Sequence, residues 1–185
     1  MRAALPRLLQ RGTTRTLGLM RAIAAASIAA TLVQPVGFAA IVFLPVLITG
    51  EKIGSLNPEQ AHFFVANVLF VAFAHVMLLG IPAFLLLRKW KRLHVRTISS
   101  AGFIAGAVPV AAFSWPLRRD WTGFSSGGNY HGHYVRFIED GTFTLYGWLS
   151  YVESVATFGL LGVLGAVVFW IVWHRIAKLR SPHEA

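Results

Sequence analysis

The stretch FFVANVLFVAFAHVMLLGIPAFLLL, residues 63–87, runs without a single charge directly into RKWKR, residues 88–92. At about 1.5 Å per residue, a helix of this length is more than enough to cross a hydrocarbon core of about 30 Å. Backbone polar groups in that medium must be satisfied within the segment, so the stretch is expected to be a membrane-crossing helix ended by a basic loop. The same pattern recurs at Ala22 to Ile48, Ile98 to Pro116 and Val152 to Trp173. The expected fold class is an all-α membrane protein, a four-transmembrane-helix bundle. With 185 residues, 56% of them hydrophobic and 13% charged, the chain leaves no room for a separate soluble domain. Residues 1–185 are therefore read as one integral membrane domain, with a basic tail at 1–21 and one sizeable loop at 117–151.

The formal net charge of +10 is distributed as a topology signal. Basic residues precede the first span (Arg2, Arg7, Arg11, Arg15, Arg21), join the second and third (Arg88, Lys89, Lys91, Arg92, Arg96) and follow the fourth (Arg175, Lys178, Arg180). Thirteen of the 17 lie on that side. The other side carries Lys52, Arg118, Arg119 and Arg136, with six of the seven acids: Glu51, Glu59, Asp120, Glu139, Asp140 and Glu153. By the positive-inside rule both termini are expected to be cytoplasmic. Basic residues that flank apolar spans do not line a nucleic-acid groove, so no nucleic-acid partner is expected. The first apolar run, about 27 residues, exceeds the 7–15 of a cleavable signal, which favours a retained anchor.

The absence of cysteine removes disulfides, thiolate metal sites and cysteine nucleophiles. No HExxH, GxSxG, P-loop or GxGxxG motif is present, and no enzymatic activity or cofactor is expected. Small residues mark close helix packing: Gly102 and Gly106 as a GxxxG pair, Gly159, Gly162 and Gly165 at every third residue, and the stripe Ala22, Ala26, Ala30. The first span is longer than the hydrocarbon core, so it is expected either to kink near Pro35, where proline has no N–H and crowds the carbonyl four residues back, or to tilt markedly.

Within the spans, Asn67 and His75 stand eight residues apart, about 80° around a helix, and would face one bundle interior. Glu153 is expected at the outer edge of the fourth span. Together these three are the candidates for a proton-coupled or ligand-binding path. The competing reading is that each amide or imidazole bonds a neighbouring helix and fixes packing.

The 117–151 loop begins with a flexible glycine-serine run, Gly123 to Asn129. His133-Tyr-Val-Arg-Phe-Ile138 is then rich in β-formers, Glu139-Asp140-Gly141 supplies a turn, and Thr142-Phe-Thr-Leu-Tyr146 alternates, which predicts a β-hairpin on the outer face. Tyr134, Phe137, Tyr146 and Trp148 are the partner-binding candidates there, against the alternative of an interfacial aromatic belt. His131 and His133 have chelating spacing for a metal, although two ligands leave a tetrahedral site half filled, with His62 the available third.

Three stretches carry a resemblance: HVMLLGIPAFLLLR at 75–88, AGFIAGAVP at 101–109 and GLLGVLGAVVFW at 159–170. In these the chain resembles small four-span inner-membrane proteins of proteobacteria. That resemblance covers three spans and the inner loop. It implies a bacterial cytoplasmic membrane and no particular activity. The layout is also similar to that of immunity proteins that block pore-forming bacteriocins. The expected function is thus a non-enzymatic interaction or accessory protein in contact with the bilayer and with a membrane or periplasmic protein partner. The alternative is a small transporter or channel, working as a homo-oligomer, that uses Asn67, His75 and Glu153.

Overall fold

The computed structural model describes residues 5–49, 57–118 and 121–178. Arg2, Glu51, Lys52, Arg119, Asp120 and Arg180 of the charge balance lie outside these residues, as does most of the Gly50–Ala61 connection. The described chain folds as α1 (Leu5–Leu32), α2 (Gln34–Thr49), α3 (Pro58–His75), a π-helical turn (Val76–Gly80), α4 (Ile81–Lys89) and α5 (Val95–Phe113). A single 3-10 turn (Pro116–Arg118), strands β1 (Ser126–Tyr130), β2 (His133–Glu139) and β3 (Thr142–Phe143), and α6 (Leu145–Lys178) complete it. Among the described residues four helical segments are long and apolar enough to cross a membrane: Leu17–Ile41, Pro58–Lys89, Val95–Phe113 and Leu145–Ala177.

Proline shapes the first two spans. The helix breaks at Val33, two residues before Pro35, and the chain is carried across the break by the bonds Val33 N–H to Ala29 O and Gly37 N–H to Val33 O. In the second span Asn57 caps α3, its side-chain oxygen accepting from the Glu59 N–H at 3.1 Å, with Pro58 in the first turn. Pro82 lacks the N–H that would bond the carbonyl four residues back. The helix answers by widening one turn, with the Ile81 N–H reaching Val76 O. Such π-turns are local insertions in an otherwise continuous helix.

α6 is the hub. It packs along α5 and against α1, and both seams are built from small residues. Ala22, Ala26 and Ala30 are buried. A Cβ on Gly102 would stand 2.5 Å from Gly162 O, and one on Gly162 would run into Gly102 O, so the two backbones are in direct contact. Ala26 and Ala30 join Phe84 and Phe169 in one cluster, with Val76, Val172 and Trp173 around it, which ties α1 and α4 to the far half of α6.

The 117–151 segment differs from its expected form in three places. Instead of a flexible run followed by a two-stranded hairpin there is a three-stranded antiparallel sheet in the order β1-β2-β3. The glycine run is itself part of an edge strand. A Cβ at Gly127 would approach Val135 O to 2.7 Å, and the register shifts between Ser126 and Gly127, so the glycines admit a bulge. The expected second strand, Thr142 to Tyr146, pairs only through Thr142 and Phe143. Its remainder is helical because the Thr144 hydroxyl accepts from the Gly147 N–H at 3.2 Å and caps α6. The fourth helix consequently starts at Leu145, well ahead of Val152.

Candidate functional site

Two regions bring chemistry-bearing residues together, and the first is a cleft of about 360 Å³ among the helices. Its walls come from the α1–α2 break, α3, the π-turn, α4, α5 and α6. Asn67, His75 and Gln34 all line it. Each has a local partner. Asn67 Nδ2 donates to Phe63 O at 2.7 Å, and His75 Nδ1 lies 3.0 Å from Val71 O. A carbonyl can only accept, so His75 carries its proton on Nδ1 and presents Nε2 as an acceptor in the neutral ring. Gln34 Nε2 donates to Ala30 O at 3.3 Å and across to Leu161 O on α6 at 3.2 Å, in a space that only Gly165 leaves open.

Gln34 is the residue that sequence reasoning passes over. The signal was available: an amide directly before a mid-span proline stands where the helix frees carbonyls, and an intramembrane amide seeks such partners. Glu153 is not part of the cleft. α6 starts at Leu145, so Glu153 lies two turns inside the helix instead of at its first turn, and its carboxylate faces the sheet.

The second region is the sheet and its seat. Both of its turns have two residues with positive φ, His131-Gly132 (50° and 86°) and Asp140-Gly141 (47° and 82°), the geometry that matches the strand twist of a tight hairpin. The HxH motif is thus spent on a turn: His131 sits at its tip, and His133 opens β2. His131 Nε2 is 3.3 Å from Glu153 Oε2. Among the described residues no group of three His, Asp or Glu side chains is arranged to hold a metal ion. The hydroxyl of Tyr130, a half-buried residue, also meets Glu153. Partial burial first, then the hydrogen bond to that carboxylate and its charge, raise the Tyr130 pKa above its ordinary 10.0.

The four aromatic partner candidates divide between surface and seat. Tyr134 is 79% exposed and Tyr146 is 45% exposed. Trp148 instead meets Trp115 and Tyr151 edge-on and Phe143 at a tilt, at centroid distances of 6.0 to 6.1 Å, and Tyr151 donates to Ala111 O on α5. Phe137 is half-buried, and its carbonyl passes so close to Gly147 that a Cβ there would collide with it. Trp148 and Phe137 therefore hold the sheet to α6 and to the end of α5, leaving Tyr134 and Tyr146 outward. Arg136 pairs with Glu139 along β2.

Comparison with protein-family models, curated proteins and solved structures finds no match to this chain.

Proposed function

We propose that this chain is a non-enzymatic accessory protein of a bacterial cytoplasmic membrane, with both termini cytoplasmic, and that it engages a protein partner through the sheet on the opposite face. The observation that carries this reading is the open edge of β1. Among the described residues the strand order leaves β1 paired on one side only, with Tyr134 exposed on the neighbouring strand. An extended segment of a partner can add to such an edge through main-chain hydrogen bonds, with an adjacent aromatic anchor supplying side-chain contact. The seat of Trp115, Trp148 and Tyr151 supports this further, because it fixes the sheet to two helices and lowers the ordering cost of binding. A bacteriocin-immunity role is one version of this class.

The second reading, a small oligomeric transporter, draws on Asn67 and His75 sharing one cleft. Its third residue, Glu153, faces the sheet instead.

Gentle extraction from the native membrane at natural abundance, with every co-purifying chain identified, tests the proposal. A second protein at fixed stoichiometry is expected. Its yield should fall at least about tenfold in Tyr134→Ala at unchanged membrane abundance, the loss that an interface anchor typically carries. A monomer or homo-oligomer without companions, together with lost solute uptake in His75→Ala, would replace this reading with transport.

A further inference from the structure

The cleft among the helices differs from an ordinary packing defect in its hydrogen-bonding balance. Its lining holds no Asp, Glu, Lys or Arg, so it offers nothing to a phospholipid headgroup or a bare ion. It does hold three uncharged polar side chains whose local bonds leave a defined remainder. His75 keeps Nε2 as a lone-pair acceptor, since Nδ1 is committed to Val71 O. Gln34 has both amide hydrogens engaged, which leaves Oε1 to accept. Asn67 retains Oδ1 and one N–H after bonding Phe63 O. Three acceptors thus stand against one donor. An apolar ligand that carries a hydroxyl would satisfy this set, whereas one carrying only carbonyl or ether oxygens would not.

The walls specify more than a hydroxyl. Phe84 and Phe169 lie 4.9 Å apart, and Phe38 stands 5.2 Å from Phe64, all four lining the same space. Aromatic rings at these separations favour a further ring edge-on or offset. His75 falls between the two pairs along the second span, about 17 Å from Phe64 and 14 Å from Phe84 by helical rise. Access is from the side. α3 has no buried residue and is held to α1 and α2 with little contact to α5, so the cleft is reached through the hydrocarbon layer.

We propose that the cleft binds an uncharged, membrane-dissolved phenol, the class that includes quinols, with the phenolic hydroxyl donating to His75 Nε2 and the apolar substituent running along the cleft toward a phenylalanine pair. This is independent of partner binding at the sheet. It also gives a purpose to an imidazole whose tautomer is fixed by its own helix.

The test uses the full chain in phospholipid nanodiscs and two probes of nearly equal size, 4-nonylphenol and 4-nonylanisole, which differ in the hydroxyl hydrogen. The rise in thermal unfolding midpoint is followed against the mole fraction of probe in the lipid. A saturable rise is expected for 4-nonylphenol, half-complete at about three- to tenfold lower mole fraction than for 4-nonylanisole, the ratio expected of one hydrogen bond. His75→Phe keeps the ring and removes both nitrogens, and should equalise the two probes. Ala72→Phe, on the loosely packed α3, should fill the cleft and abolish saturation. Equal curves for the two probes on the unaltered protein, or a rise that never saturates, would overturn the proposal, and that arm does not depend on either variant folding.

Discussion

Tyr130, His131 and Glu153 join the tip of the sheet to α6 through a single carboxylate. The His131–Glu153 contact is 3.3 Å long but more than half of the His131 side chain is in solvent, so as an ion pair it contributes little. The Tyr130 hydroxyl is the more informative member, because its pKa is raised by partial burial and by the carboxylate beside it. The folded chain therefore holds this proton more tightly than the unfolded chain does. Its contribution to stability is complete below the ordinary value of 10.0 and is lost as pH rises through the higher folded value, where a phenolate would face a carboxylate. Raising the pH above about 10 should release the sheet's tip from α6. Near-ultraviolet circular dichroism of the aromatic seat would follow this, and Tyr130→Phe should retain its signal to higher pH than the unaltered chain. Identical alkaline profiles would show that Glu153 does not couple the sheet to the helix.

The α5–α6 seam shows how far element packing was legible in residues alone. Gly102, Gly106, Gly159 and Gly162 announce close backbone approach by their spacing, and all four meet the facing helix. They are not equivalent. An added Cβ at Gly162 collides with Gly102 O and reaches Gly106 Cα at 3.2 Å, both backbone atoms that cannot swing away. At Gly159 it meets only the Phe103 ring, at 2.5 to 2.8 Å, which can turn. Gly162→Val should therefore cost about 1–3 kcal/mol or more by overpacking, while in Gly159→Ala the helix-propensity gain of about 0.5–1 kcal/mol offsets much of the ring's shift. Thermal unfolding of the two variants in detergent would check the order, and a reversed order would mean that the helices do not meet here. Other features were hidden for a physical reason. Thr144 alternates with its neighbours like a strand residue, yet its hydroxyl caps α6, and nothing in the alternation tells these apart. Gly127 looks like a flexible linker until Arg136 is opposite it, because a bulge exists only as a pairing. Asn67 and His75 were legible because they share one helix and one face. Gln34 was legible only as an amide before a mid-span proline; its second partner, Leu161, is 127 residues away in sequence.

The proposed whole-molecule orientation draws on unequal helix lengths together with charge. α5 has 19 residues, about 28 Å, and matches a bilayer core, whereas the 34 residues of α6 would extend about 50 Å. In a bilayer the excess of α6 would project at its ends, and its first turns carry the sheet. The sheet thus stands on the side away from the Arg88-Lys89-Lys91-Arg92-Arg96 loop, at the opposite ends of α5 and of the second span. By sequence, 13 of the 17 basic residues fall in the three segments expected on the side of that loop, and the positive-inside rule would place that side in the cytoplasm, as proposed. The chain has no cysteine, so single introduced thiols report topology without background. Ser125→Cys, just before β1, should react with a membrane-impermeant maleimide in intact cells whose outer membrane is opened. Ser181→Cys should react only after the inner membrane is broken. The reverse pattern would put β1 and Tyr134 in the cytoplasm, and the partner sought at that edge would then have to be a cytoplasmic protein instead of a periplasmic one.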